Sequence, residues 1–212
     1  MKGRTITFFI FAIVAAAFII SLIFLPKMPD KMASHWNERG EVDGYMSKTT
    51  CMFLMPLIML GQIGLLYAIA QIDPMRKNIR KFFVYYEGFI LLITGFLLAI
   101  HLFMIAWNLG VRFSINVFIS LALGILFFVL GAIMPKLKPN WFMGIRTPWT
   151  LSNETVWKKT HELGGIVFKI AAIAILFGAV WSQYAIAFIL IAALAASAIT
   201  FFYSLAIYLK LK

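Results

Sequence analysis

Val84–Trp107, VYYEGFILLITGFLLAIHLFMIAW, is longer than the roughly 20 apolar residues a helix needs to cross bilayer hydrocarbon, and only Glu87 and His101 interrupt it with ionisable groups. Five further runs of this kind lie near Thr5–Leu25, Cys51–Ile72, Phe113–Met134, Gly165–Trp181 and Tyr184–Tyr208. In hydrocarbon every backbone N–H and C=O needs a partner within the protein, so such runs form helices rather than open strands. Hydrophobic residues make up 63% of the chain, charged residues 13%, and the mean hydropathy is +0.94. That composition leaves no room for a separate soluble domain. The expected architecture is an all-α integral membrane protein of six transmembrane helices, with a folded outer (first) loop and a folded inner (fourth) loop. Residues 1–72 then form an N-terminal helical hairpin with its loop, and residues 73–212 a four-helix region with a second loop.

The apolar stretch that follows MKGR is about 20 residues, longer than the core of a cleaved signal, and reads as an uncleaved first span. The short link Trp181-Ser182-Gln183 makes the last two spans a tight antiparallel pair. A single cysteine, Cys51, excludes an internal disulfide. The net charge of +11 is distributed by topology. With the N-terminus in the cytoplasm, fourteen Lys and Arg fall inside and five outside, so both termini are expected to be cytoplasmic in the cell membrane. Membrane lipids are therefore the expected partners of this charge, and direct nucleic-acid binding is not expected.

The outer loop, Pro26–Lys48, balances its bases with Asp30, Glu38, Glu41 and Asp43. Pro26 and Pro29 stop the first helix, and Gly40 and Asp43-Gly44 are turn signals. Trp36 and Tyr45 suit the headgroup layer. His35, Glu38, Glu41 and Asp43 are metal-binding residue types, but without a second His or Cys nearby they do not make a zinc set. The loop reads as a compact surface element, with an external binding surface as the alternative.

The inner stretch Gly144–Gly165, GIRTPWTLSNETVWKKTHELGG, has local order. Gly144 permits a tight turn, Pro148 favours an extended Thr147, and Ser152 is a candidate N-cap with Glu154 in the first turn. A short helix is expected from about Asn153 to Leu163, hinged at Gly164-Gly165, with Glu154, Trp157 and His161 on one face. Trp141, Trp149 and Trp157, spaced every eight residues, fit either an interfacial aromatic belt or a recognition platform. No nucleophile elbow or HExxH motif accompanies these residues, so no catalytic group, metal or cofactor is expected.

Glu87, Thr94, His101 and Asn108 follow one another at seven-residue steps, which drift by only about 20° on a straight helix and so mark one stripe. The stripe reads as bonding between helices, with a proton or ion path as the alternative. No internal repeat of the kind common in transporters is evident. Gly61 and Gly64 in the second span, and Gly88 and Gly95 in the third, are candidates for close helix approach.

The segment Gly144-Ile145-Arg146-Thr147-Pro148-Trp149-Thr150-Leu151, continued by Asn153-Glu154-Thr155-Val156-Trp157 and His161, closely resembles the signature of SdpI-type membrane proteins. Pro29, His35-Trp36-Asn37, Gly40, Asp43-Gly44 and Ser47-Lys48 look like the N-terminal domain of unknown function often joined to it. Ala33 stands where that second pattern often has proline. The resemblance implies a bacterial immunity and signal-transduction protein that protects cells from a secreted peptide toxin. In some members it implies retention of a cytoplasmic transcription repressor at the membrane. On that reading an extracellular peptide toxin meets the region of His35 and Trp36, and the face from Arg146 to His161 reports inside. The competing readings are a small ion- or proton-coupled transporter built on Glu87 and His101, and a metal-dependent hydrolase using His35 or His161.

Overall fold

The computed structural model describes residues 2–211, with side chains from Thr5 onward. Its elements are α1 (Lys2–Phe24), a hairpin of β1 (Lys31–Trp36) and β2 (Val42–Ser47), α2 (Lys48–Ile72), α3 (Arg76–Lys81), α4 (Phe83–Asn108), α5 (Ile115–Ile133), α6 (Pro148–Ser152), α7 (Glu154–Val180) and α8 (Ala185–Lys210). Six of the helical segments are long and apolar enough to cross a membrane: Thr5–Lys27, Lys48–Ile72, Phe83–Asn108, Ile115–Lys136, Glu154–Val180 and Ser182–Lys210. The chain is a multi-pass membrane protein with six spanning helices.

Polar residues bound the spans where the apolar runs end. Ser47 caps α2 by accepting from Thr50 N at 3.3 Å, and Ser114 caps α5 by accepting from Val117 N at 3.4 Å. A 3₁₀ turn at Ser182–Tyr184 joins α7 to α8, giving the tight pair expected from the short link.

The helices associate in two groups. α4 lies against α1 and α2, α7 lies against α5 and α8, and a lesser contact between α4 and α5 joins the groups. In lipid there is little hydrophobic drive between helices, so close packing and polar bonds decide which faces meet. Along the α5–α7 seam a Cβ on Gly131 would lie 2.8 Å from Gly165 O, and one on Gly165 would lie 2.9 Å from Gly131 O. These two glycines let the backbones touch. Gly61, Gly64, Gly88 and Gly95 do not serve this purpose, because nothing lies within 4 Å of where their Cβ atoms would stand. Helical spacing gives a residue's angle around its own axis but not what lies opposite.

Two sequence expectations for the fourth loop are corrected. The helix after Asn153 does not stop at Gly164-Gly165 but runs unbroken to Val180, and these glycines seat Met134 and Pro135 rather than forming a hinge. Ser152 is not the N-cap. It ends α6, and Asn153 caps α7 by accepting from Thr155 N at 2.9 Å and Val156 N at 3.1 Å.

Successive crossings put the hairpin and the loop between the fourth and fifth spans (residues 137–153, the 4–5 loop, which links α5 to α7) at opposite membrane faces, and the hydrogen bonds agree. The hairpin bonds to the α4 and α5 ends beside the 5–6 turn, whereas the 4–5 loop bonds to the segment between α2 and α4.

Candidate functional site

The hairpin is fixed from below by α4. Asn108 Oδ1 accepts from Ala33 N at 2.8 Å, and its Nδ2 donates to Ala33 O at 3.0 Å and to Met104 O at 2.9 Å. One amide side chain thus pairs with both backbone groups of a strand residue, as a neighbouring strand would. A proline at position 33 would supply no N–H to this clamp, which explains why alanine suits this chain. Trp36 packs edge-on against Phe103 at 5.3 Å and Trp107 at 5.6 Å between centroids. It therefore anchors the hairpin to α4. At the far end, Asn116 Nδ2 donates to Glu38 O at 3.0 Å and to Ser182 O at 3.2 Å, tying the hairpin to the second helix group.

The remaining hairpin motif residues shape the turn. Asn37 Oδ1 accepts from Arg39 N and Glu41 N, both at 3.0 Å, and Gly40 takes φ +80°. His35 Nδ1 pairs with Asp43 Oδ1 at 2.5 Å on the exposed side, and Lys48 Nζ closes the base on Asp30 at 2.8 Å. That lysine holds the exposed Asp30 carboxyl below its ordinary value, first through the hydrogen bond and then through its charge. Glu38 and Glu41 do not join His35 and Asp43, and no group of three or more His, Cys, Asp or Glu side chains converges among the described residues.

The 4–5 loop is built around buried polar groups. Asn140, fully buried, organises the chain before Gly144. Its Oδ1 accepts from Phe142 N at 3.0 Å and Met143 N at 2.6 Å, while Nδ2 donates to Lys138 O and Met143 O, both at 2.9 Å. Asp73, also buried, accepts from Met75 N at 2.6 Å and from Trp141 N at 2.9 Å, docking this loop on the α2–α3 corner. Trp157 Nε1 donates to Leu137 O at 3.0 Å.

His161 is the centre of this arrangement. It is 1% exposed, stacks on Trp157 at 4.0 Å between centroids, and accepts from Ile145 N through Nε2 at 3.0 Å. Because Nε2 accepts, the ring proton sits on Nδ1, which donates to Trp157 O at 2.8 Å; the ring is a neutral imidazole with both nitrogens used. Gly144 turns beside it at φ +109°, and a Cβ there would lie 2.4 Å from His161 Nε2. The loop then enters α6 through Thr147, extended at φ −112° and ψ 163° as Pro148 requires. Thr147 and Thr150 form a capping box, and Thr150 Oγ1 also donates to Ile145 O at 2.9 Å.

The signature therefore divides in two. Thr147, Thr150, Trp157 and His161 are buried and hold the loop's shape. Arg146, Pro148 and Glu154 face outward, with Arg146 Nη1 donating to Trp141 O at 2.5 Å. Trp149 is half-buried against Phe201 of α8 at 5.2 Å. Glu154 shares a face of α7 with Trp157 and His161, as expected, but is exposed where they are buried. The three tryptophans have three environments, exposed Trp141, half-buried Trp149 and buried Trp157, so they are not one belt.

The α4 stripe bonds helices together. Glu87 Oε1 accepts from Thr7 Oγ1 at 2.6 Å and Tyr67 OH at 3.2 Å, and His101 Nε2 lies 2.9 Å from Ser21 Oγ. Thr94 donates to Ile90 O of its own helix at 2.8 Å. Glu87 and His101 are about 21 Å apart along α4 at 1.5 Å per residue. Among the described residues no hydrogen-bonded chain links them. Asp73, Asn140, Asn116 and Ser21 are partners that sequence reasoning missed, and Thr150 was visible in the signature but its capping role was not. The one available signal was Asp73, the lone acid in the otherwise basic link between the second and third spans.

Residues 136–204 match the model of the SdpI/YfhL protein family, and residues 12–60 match a domain of unknown function, DUF1648. The two matched regions contain the whole signature and the clamped hairpin, respectively. The chain is also 28% identical over 163 residues to the immunity protein SdpI of Bacillus subtilis strain 168, an alignment spanning 77% of this chain and 76% of that one. No solved structure matches the chain significantly.

Proposed function

We propose that this SdpI-type membrane protein gives its cell resistance to a secreted peptide toxin, and that it relays the toxin's presence to a cytoplasmic repressor. The similarity to an immunity protein along three-quarters of both chains carries the first part. The relay rests on the two built surfaces at opposite membrane faces. The excess of Lys and Arg flanking the spans on the termini's side favours cytoplasmic termini, an external hairpin and an internal 4–5 loop.

On the external side the proposed receptor is the hairpin around His35 and Trp36. Its indole Nε1 is buried and has no acceptor among the described residues, and an incoming peptide carbonyl would complete it. On the internal side the outward residues Arg146, Pro148 and Glu154 offer a partner surface on a rigid base. Coupling between the two would run through α4, which clamps Ala33 at one end and bonds α1 and α2 through Glu87 at the other. No catalytic step is assigned to it.

Deleting the gene should sensitise the host to toxin-secreting neighbours, and a plasmid copy should restore survival. Arg146→Ala should insert and fold like the parent yet fail to restore survival or repressor release. Equal survival of the deletion strain and the parent would remove the immunity reading.

A further inference from the structure

Between the end of α2 and the start of α4, the chain forms a cleft of about 400 Å³ lined by Tyr67, Gln71, Arg76, Ile79, Arg80 and Phe83. The link contains the short amphipathic helix α3, whose Ile79 is buried, as is the following Phe82, while Arg76, Lys77, Arg80 and Lys81 are exposed. Because it joins two membrane spans, α3 lies at the bilayer boundary, where apolar residues point into the protein and basic ones toward headgroups.

Among the described residues no carboxylate neutralises the arginines of this cleft. Arg76 Nη1 reaches only the Gln71 carbonyl, at 3.5 Å, and neither Arg76 nor Arg80 pairs with a carboxylate among the described residues. The nearby acid, Asp73, is buried and occupied by the backbone N–H groups of Met75 and Trp141. Two unpaired guanidiniums therefore line one cleft beside an amide and a phenol. Guanidinium forks match phosphate oxygens in pairs and are weakly hydrated, so they bind phosphate better than lysines do.

We infer that this cleft binds the phosphate of an anionic phospholipid through Arg76 and Arg80, with Gln71 as a neutral donor. The bilayer-boundary position favours a lipid over free phosphate, because acyl chains can lie along the exposed Ile72 and Val84 while the headgroup enters. The assignment is independent of the immunity reading.

The test measures apparent affinity from thermal stabilisation of the detergent-purified full chain, titrated with phosphatidylglycerol, phosphatidylcholine or inorganic phosphate. Phosphatidylglycerol should stabilise it at least tenfold more tightly than phosphatidylcholine, with no comparable effect from inorganic phosphate. Arg76→Gln with Arg80→Gln should abolish that preference, whereas Lys158→Gln with Lys159→Gln, which removes the same charge from the exposed side of α7, should preserve it. Equal stabilisation by inorganic phosphate would overturn the lipid assignment using the parent protein alone. Loss of preference in both double variants would show diffuse surface charge and overturn the site.

Discussion

The hairpin and the 4–5 loop are both short, polar and motif-bearing, yet they are held in opposite ways. The hairpin borrows its rigidity: Asn108 and Asn116 fasten it from the helices, its own Trp36 packs on Phe103 of α4, and its charged pairs stay exposed. The 4–5 loop draws most of its rigidity from within, with Asn140, Thr150, Trp157 and His161 satisfying the carbonyls of Met143, Ile145, Leu137 and Trp157 in a buried knot. A clamped element can be loosened at one contact without disturbing the rest, which suits a surface that meets ligands. A knot fails as a unit, which suits a platform that must keep its shape.

Gly144→Ala should break this contrast most severely. It meets His161 and adopts a backbone angle unfavourable for alanine, at a combined cost of about 3 kcal/mol or more. The measurement is thermal unfolding in detergent, and an unchanged midpoint would mean the knot is not tightly packed. His161→Ala removes the Trp157 stack and leaves Ile145 N–H without its acceptor. It should cost about 2–3 kcal/mol and raise hydrogen exchange across residues 138–161 but not in the hairpin.

Asn108→Ala tests the other side. Losing both bonds to Ala33 should cost about 1–2 kcal/mol locally, so exchange rises in Lys31–Ser47 and stays constant around His161. If both regions loosen together, the separation drawn here is wrong. The smallest effect belongs to Asp30→Asn. The folded carboxyl is held below its ordinary value, so the Lys48 pair contributes at neutral pH and is lost as pH falls through the folded value. The protection factor at the parent's β1–α2 junction, taken relative to the intrinsic exchange rate at each pH, should therefore fall in acid, and the variant should lack that acid-dependent change.

The six spans were legible because an apolar run of sufficient length has few alternatives in lipid. The Glu87–Asn108 stripe was legible as a stripe, since seven-residue spacing fixes angle. Its partners were not: Thr7, Ser21 and the Ala33 backbone lie 75 to 80 residues away, and only packing brings them close. The β-strands stayed hidden because Lys31–Trp36 and Val42–Ser47 lack a clean alternation of polar and apolar residues. The signature's positions were visible in the 4–5 loop, but its division into buried Thr150, Trp157 and His161 and exposed Arg146 and Glu154 required the Asp73 and Leu137 contacts.

The central claim is that one face of the membrane presents a receiving hairpin and the other a reporting platform. Single cysteines placed by Glu41→Cys or Glu154→Cys in a Cys51→Ala background, labelled in intact cells with a membrane-impermeant maleimide, test it most directly. The account predicts labelling at position 41 without lysis and at position 154 only after lysis. Labelling of position 154 in unbroken cells would contradict it.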